Sequence, residues 1–157
     1  MKKILILGLL VSFAACKGTA QQEKQENFPV TKTEAEWRAE LSSEEFYVLR
    51  EEGTERAFTS DLLNNKQKGT YVCAACQTPV FKSETKFDSG TGWPSFYDYI
   101  EGNVAFSSDN KLGYTRTEEH CATCGGHLGH VFDDGPKPTG KRHCINGVAL
   151  DFVPEAP

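Results

Sequence analysis

The chain has 157 residues, which is enough for one domain with a hydrophobic core and too few for two. Its 17 lysines and arginines against 22 aspartates and glutamates give a formal net charge of -5. No basic stripe stands out, which argues against a nucleic-acid partner, because clustered Lys and Arg supply most of the affinity for phosphates. We therefore expect one acidic domain that is a monomer.

The first fifteen residues have the pattern of a secretory signal peptide. A basic start at Lys2 and Lys3 is followed by an apolar run that ends at Phe13 and then by two alanines. This run is too short to cross a bilayer of about 30 Å as a helix. The sequence therefore predicts a signal peptide over residues 1–15 in preference to a permanent membrane span.

Cys16 directly follows these small residues and resembles the acylated cysteine of the bacterial lipobox. A plain signal peptide that is cut nearby is the alternative. The next segment is rich in Gln, Glu and Lys and has little apolar content, which is typical of a disordered chain. We predict a lipid anchor at Cys16, a tether over 16–32 and a domain over 33–157. The protein would then be exported and attached to a membrane of the bacterial cell envelope.

Two short helices are predicted at the start of the domain. The segments Thr33 to Glu36 and Ser42 to Glu45 both have the sequence of a capping box, which marks a helix start. Phe46 and Leu49 lie on one face of the second helix. Gly53 suits the left-handed residue that ends many helices.

Beyond Gly69 the sequence changes to short β-prone runs separated by turn residues. In the last run, Val148, Leu150 and Phe152 alternate with other residues, as in a strand with one buried face. We therefore expect a mainly β, antiparallel domain. Its predicted strands include Thr70 to Val72, Val104 to Phe106, Val131 to Phe132 and Val148 to Phe152.

Four of the six cysteines form two CxxC pairs, Cys73 with Cys76 and Cys121 with Cys124. Each pair can place two thiolates on one ion, so together they supply the four ligands of a tetrahedral zinc site. Two disulfides are the competing interpretation for an exported protein. Zinc is preferred because a disulfide within one CxxC pair is strained. Iron in a four-cysteine site is a third option.

Cys144 remains once Cys16 and the four metal ligands are assigned. Arg142 and His143 place positive charge beside its sulfur, which favours the nucleophilic thiolate. His143 can also point away, because successive strand residues face opposite sides of a sheet. A buried structural thiol is the alternative. We predict that Cys144 is a reactive nucleophile.

Two further groups of side chains suit chemistry at this thiol. His127 and His130 lie three residues apart after the second CxxC pair, and free imidazoles near a thiolate can protonate or orient a substrate oxygen. Metal ligation or a backbone contact is the alternative for each histidine. Trp93 in a glycine-flanked loop is more often a core residue, but beside a thiol it would hold a methyl group.

These motifs resemble the methionine sulfoxide reductases that act on the R epimer, the B type. The similarity rests on the first CxxC pair, on SGTGWPSF over 89–96, on CATCGGHLGHVFDDGPKPTG over 121–140 and on RHCINGVALDF over 142–152. It covers roughly Thr33 to Val153, and several motifs in one order make coincidence improbable.

The resemblance implies a role for each candidate residue. Cys144 would attack the sulfoxide sulfur, His127 and His130 would assist protonation of the oxygen, Asn146 would support the site, and Trp93 would line a methyl pocket. It also implies structural zinc at the four cysteines and a fold of two antiparallel sheets with short peripheral helices. Its expected partners are oxidised proteins or peptides as substrates and a thioredoxin-like protein or small thiol as reductant.

Thr91 departs from the pattern of many members of that family, which carry a resolving cysteine there, as in SGCGWPSF. We therefore expect the sulfenic acid on Cys144 to be reduced directly by an external thiol. Two other function classes compete with the reductase. They are a binding module built on a zinc scaffold without catalysis and a thiol-disulfide oxidoreductase that uses a metal-free CxxC pair.

Overall fold

The computed structural model describes residues 27–156. The predicted signal peptide, Cys16 and the first part of the predicted tether lie outside these residues. Within them, no helix is long and apolar enough to cross a membrane. The helices are α1 (Glu34–Glu40) and α2 (Ser43–Glu51), and the strands are β1 (Gly69–Cys73), β2 (Pro79–Lys82), β3 (Lys86–Phe87), β4 (Ser95–Phe96), β5 (Val104–Asp109), β6 (Arg116–Cys121), β7 (His127–Phe132), β8 (Arg142–Ile145) and β9 (Leu150–Pro154).

The strands form two antiparallel sheets, which confirms the predicted mainly β architecture. The smaller sheet has three strands in the order β2-β1-β9, and the larger sheet has six strands in the order β3-β4-β8-β7-β6-β5. Helix α2 packs against β7 and against the short 3-10 turn Gly147–Ala149. The larger sheet carries Cys144, His127 and His130.

Stacked aromatic rings join the two sheets. Phe81 of β2 stacks on Phe96 of β4 at a centroid distance of 4.4 Å, and Tyr71 of β1 meets Phe96 edge-on at 4.9 Å. All three side chains are fully buried. Burial of each ring contributes roughly 1.5–3 kcal/mol of stability. The three rings therefore hold the smaller sheet against β4, which lies next to β8, the strand that carries Cys144.

Both predicted helix starts are confirmed. Thr33 and Ser42 are N-caps, and each forms a complete capping box with the glutamate three residues later. The predicted helix end is wrong by one residue, because the left-handed residue after α2 is Glu52, with φ 55°, and not Gly53. A Cβ at Gly53 would lie 2.3 Å from the ring of Tyr47, so a larger residue there would displace this half-exposed ring.

The start of the last strand also differs from its prediction. Gly147–Ala149 is a 3-10 turn, and β9 begins only at Leu150. The backbone N–H groups of Gly147 and Val148 donate to the carboxylate of Glu55 at 2.6 and 2.9 Å, so they are not available to a sheet partner. Val148 therefore lies in the turn and not in the strand.

The last residues of the predicted tether contact the domain. The N–H of Val30 donates to the carbonyl of Thr123 at 2.9 Å. The ring of Phe28 meets the ring of His120 edge-on at 5.7 Å and covers Gly125. Phe28 and Val30, upstream of Thr33, thus already pack against the domain, on the turn that holds the second CxxC pair.

Candidate active site

Cys144 lies near the centre of the larger sheet. Across the ladder its Cα pairs with Ser95 on β4 and with His130 on β7, and His130 in turn pairs with Glu118 on β6. Residues that are directly opposite in antiparallel strands point to the same face. The thiol, the imidazole of His130 and the carboxylate of Glu118 therefore share one face of the sheet.

A β-bulge brings His127 to the same face as His130. Two residues three positions apart would face opposite sides of a regular strand. Between Glu119 and His120 the register with β7 shifts, so that one step on β6 matches the two steps from Gly129 to His127 on β7. The two imidazole rings consequently meet edge-on at a centroid distance of 5.4 Å.

A carboxylate orients each histidine. His127 Nδ1 lies 2.6 Å from Glu118 Oε1, and His130 Nε2 lies 2.8 Å from Asp109 Oδ2. Because a carboxylate accepts hydrogen bonds, these ring nitrogens carry protons and donate. His127 Nε2 and His130 Nδ1 are the ring nitrogens that these two bonds leave to other partners.

The two carboxylates differ in what holds them ionised. Burial opposes ionisation of Glu118, but hydrogen bonds from His127 and Ser107 more than compensate, so the pKa of its carboxyl is lowered. The pKa of Asp109 is lowered by the backbone N–H of Lys111, with further help from His130 and Arg116. Both groups are anionic near neutral pH and can fix the tautomers of their histidines.

Burial also acts on the histidine and on the thiol. It lowers the pKa of His130, although the hydrogen bond to Asp109 opposes this shift. Burial raises the pKa of the Cys144 thiol, while the Thr91 hydroxyl and the Arg142 guanidinium act in the opposite direction. Thr91 Oγ1 lies 3.8 Å from Cys144 Sγ.

Arg142 is the cation beside the thiol, as the sequence predicted. It lies two residues before Cys144 on β8 and so points to the same face. Its guanidinium donates to both carboxylate oxygens of Asp134 at 2.8 and 2.9 Å and covers the ring of Phe132 at 4.4 Å. These contacts fix its position, and sequence analysis did not single out Asp134.

His143 points to the opposite face of β8, away from the thiol. Its Nδ1 lies 2.6 Å from Glu119 Oε1, and both side chains are almost fully buried. The rings of Phe81 and Tyr99 flank this imidazole. Of the two basic neighbours considered for Cys144, only Arg142 therefore faces the site.

Asn146 and Trp93 converge on the loop that contains Glu55. Asn146 Oδ1 accepts from the Glu55 N–H at 3.0 Å, and its Nδ2 donates to the Leu128 carbonyl at 3.0 Å. The indole N–H of half-buried Trp93 donates to the carbonyl of Glu55 at 3.2 Å. Asn146 thus ties β7 to this loop, and Glu55 was missed because its partners lie some ninety residues away in sequence.

The two CxxC pairs have the same backbone turn. In each turn the residue after the second cysteine is left-handed, Gln77 with φ 60° and Gly125 with φ 70°. Their N–H groups each donate to the carbonyl of the first cysteine of the pair at 2.8 Å. Because Cys73 ends β1 and Cys121 ends β6, the paired turns connect the two sheets.

The four sulfur atoms have the spacing of a tetrahedral metal site. They all lie within 4.8 Å of one another, with Cys76 to Cys121 at 3.5 Å and Cys73 to Cys124 at 3.8 Å. Four thiolates bound to one zinc ion at about 2.3 Å would be about 3.8 Å apart. The donor set therefore fits a metal ion, and the separations are too long for disulfide bonds.

The model of the SelR domain matches residues 41–154. The chain belongs to the SelR-domain family. This match contains the four clustered cysteines, Cys144 and both site histidines, and it confirms the family that the motifs indicate. It also contains Trp93, Asn146 and the orienting carboxylates.

Relatives of this SelR-domain chain come from distant organisms. The peptide methionine sulfoxide reductase MsrB of Leptospira interrogans is 52% identical over 130 residues, 82% of this chain and 99% of the relative. The Methanosarcina barkeri protein of the same name is 54% identical over 127 residues, 80% of this chain and 89% of the relative. A chloroplastic peptide methionine sulfoxide reductase B1 of Oryza sativa is 53% identical over 125 residues, 79% of this chain and 58% of the relative.

Proposed function

We propose that this chain reduces the R epimer of methionine sulfoxide in peptides and proteins to methionine, with Cys144 as the nucleophile. The observation that carries the proposal is the shared sheet face of Cys144, Arg142 and the two oriented histidines. Membership in the SelR-domain family supports it.

The first step forms a bond between the Cys144 sulfur and the sulfoxide sulfur. The Arg142 guanidinium favours the thiolate that attacks, and the sulfoxide oxygen takes up a proton as negative charge develops on it. The protonated oxygen then passes to the Cys144 sulfur as the sulfur-sulfur bond breaks. Methionine leaves, and Cys144 is oxidised by two electrons to a sulfenic acid.

His127 is the better placed of the two histidines to donate that proton. Its Nδ1–H is bound to the ionised Glu118, which fixes the ring and leaves Nε2 for the substrate oxygen. His130 has its pKa lowered by burial and its Nε2–H bound to Asp109, so in its neutral form Nδ1 is an acceptor. We assign His130 to orienting the sulfoxide group together with His127. Asn146 acts as a positioning residue through its bonds to Leu128 and Glu55.

Trp93 supplies the apolar contact for the substrate methyl group. Its indole N–H is engaged by the Glu55 carbonyl, which leaves the ring carbons for an apolar ligand. The loop before it reaches Cys144 through Thr91. Selection of one sulfoxide epimer then follows from fixing the methyl group on Trp93 and the oxygen on the histidines.

The four clustered cysteines would hold a structural zinc ion. A four-thiolate site is closed, so it offers no open position for a substrate. Its effect is to hold the ends of β1 and β6 together, and with them the two sheets. The ion takes no part in the chemistry at Cys144.

Because residue 91 is a threonine and not a resolving cysteine, an external thiol reduces the sulfenic acid on Cys144. The first thiol forms a mixed disulfide with Cys144 and releases water, and a second thiol releases Cys144 and leaves as the oxidised donor. A thioredoxin-like protein or a small thiol can serve. We also propose that the signal peptide and an acylated Cys16 place this monomeric domain on a membrane of the bacterial envelope, where oxidised envelope proteins are its substrates.

The proposed activity is tested with the separate R and S epimers of a methionine sulfoxide peptide and dithiothreitol as reductant. The wild type should reduce the R epimer selectively, and Cys144→Ser should abolish turnover while the melting temperature stays unchanged. Turnover of neither epimer by the wild type overturns the proposal in favour of a binding module. Activity that survives in Cys144→Ser but is lost in Cys73→Ser would indicate a CxxC oxidoreductase.

A further inference from the structure

Phe58 combines an exposed ring with an unusual backbone. Its side chain is 68% exposed, and its φ is 67°, in the left-handed region that bulky residues rarely adopt. Such a conformation is maintained only where the surrounding structure requires it. Neither burial nor backbone preference accounts for an aromatic side chain at this position.

A hydrogen bond and a glycine hold this conformation. The Phe58 N–H donates to the carbonyl of Gly92 at 2.8 Å. The ring lies directly against Gly92, where a Cβ would come within 2.8 Å of the ring carbons and 3.0 Å of Ala57. Gly92 itself has φ 90°, so the two backbones fit together only with glycine at this position.

These contacts place the ring at the edge of the candidate active site. Gly92 lies between Thr91, whose hydroxyl is 3.8 Å from Cys144 Sγ, and Trp93. The segment that carries Phe58 also contains Glu55, whose carbonyl accepts a hydrogen bond from the Trp93 indole. The exposed ring of Phe58 therefore lies against the residue that directly precedes Trp93.

We propose that Phe58 is a substrate-binding residue that contacts an apolar side chain next to the methionine sulfoxide in a polypeptide substrate. This inference rests on the proposed function. It extends the substrate-binding site from the methionine sulfoxide to a neighbouring residue of the substrate. With the methyl group on Trp93, a polypeptide that extends past Gly92 would contact the ring of Phe58. Phe58 therefore discriminates polypeptide substrates with apolar flanking residues from an isolated amino acid.

A comparison of two substrates separates substrate binding by Phe58 from catalysis at Cys144. One is N-acetyl-methionine-R-sulfoxide amide, and the other is a five-residue peptide with the same sulfoxide between two leucines. Phe58→Ala should lower kcat/KM for the peptide about tenfold, mainly through KM, and change it by less than about twofold for the blocked amino acid. Phe58→Tyr should keep the wild-type preference. Val153→Ala removes another exposed apolar side chain, on the smaller sheet, and should change neither value.

Phe58→Gly distinguishes substrate binding from a structural role. Glycine adopts the left-handed conformation without strain, so this variant should melt no lower than the wild type and still lose the peptide preference. A lower melting temperature with equal losses on both substrates would mean that Phe58 only holds the Gly92 loop. An unchanged peptide preference overturns the inference while the proposed function stands. Lack of wild-type turnover on both substrates overturns the proposed function itself.

Discussion

The hydroxyl oxygen of Thr91 lies 3.8 Å from the sulfur of Cys144. Ser89 Oγ lies 2.8 Å from the same hydroxyl and 2.8 Å from Ser95 Oγ, so a chain of hydroxyl groups holds Thr91 in place beside the nucleophile. A hydroxyl can hydrogen-bond a thiolate but cannot form a disulfide with it. Under the proposed mechanism, the residue at this position would determine how an oxidised Cys144 is reduced again.

Thr91→Cys should convert the enzyme to internal resolution. A thiol in place of the hydroxyl would lie within reach of the Cys144 sulfenic acid and form a disulfide with release of water. After one equivalent of substrate, mass spectrometry should find a disulfide between the introduced cysteine and Cys144 in the variant. In the wild type, a sulfenate-specific reagent should label Cys144. A disulfide from wild-type Cys144 to another cysteine of the chain would contradict the external-thiol mechanism.

Arg142→Ala should slow the reaction near neutral pH about tenfold. The thiolate is the reactive form, and the guanidinium lowers the pKa of Cys144 against the effect of burial. Its removal raises that pKa, so the rising limb of the kcat/KM pH profile moves to higher pH. Alkylation of Cys144 by iodoacetamide across the pH range measures the shift. Lys141→Ala removes the neighbouring, half-exposed cation and should leave the profile in place.

Glu118→Gln should lower kcat by about ten- to a hundredfold, because His127 loses the charged partner that fixes its ring and tautomer. Asp109→Asn should have a weaker effect on kcat, because His130 orients the substrate and is not the main acid. Single-turnover rates of methionine formation measure both variants. Equal effects of the two substitutions would contradict the division of roles between the histidines.

The four clustered cysteines should bind one zinc ion per chain. Chelation of the metal or Cys121→Ser should cost at least about 3 kcal/mol of stability, because a bound ion would join the ends of β1 and β6. Elemental analysis gives the metal content, and thermal melts give the stability. Cys144→Ser is the control with an intact four-cysteine site. A metal-free preparation that melts like the wild type would disprove the structural role.

The sequence predicted the parts of this molecule that depend on local signals. Capping boxes placed both helix starts, and the paired CxxC spacing indicated the four-sulfur cluster. Alternation in a strand also raised the point that His143 can face away from Cys144, and it does. These signals are readable because each acts within a few residues of the chain.

Features set by strand pairing were not predicted. The bulge that turns His127 toward His130 exists only in the register between β6 and β7. Glu118 and Asp109 are acidic residues like many others until that register places them against imidazoles. Glu55 is similar, because its carboxylate binds a turn that follows it by more than ninety residues. No local pattern carries such information.

The side chains of β8 alternate between the two faces of the sheet. Arg142 and Cys144 face the site, while His143 and Ile145 face the buried side, where His143 is paired with Glu119. A slip of β8 by one residue would place Cys144 in the core and expose His143. It would also leave the Glu119 carboxylate in an apolar environment without its partner His143, at a cost of several kcal/mol. The buried pair thus disfavours a shifted register of β8 and keeps Cys144 on the same face of the sheet as His127 and His130.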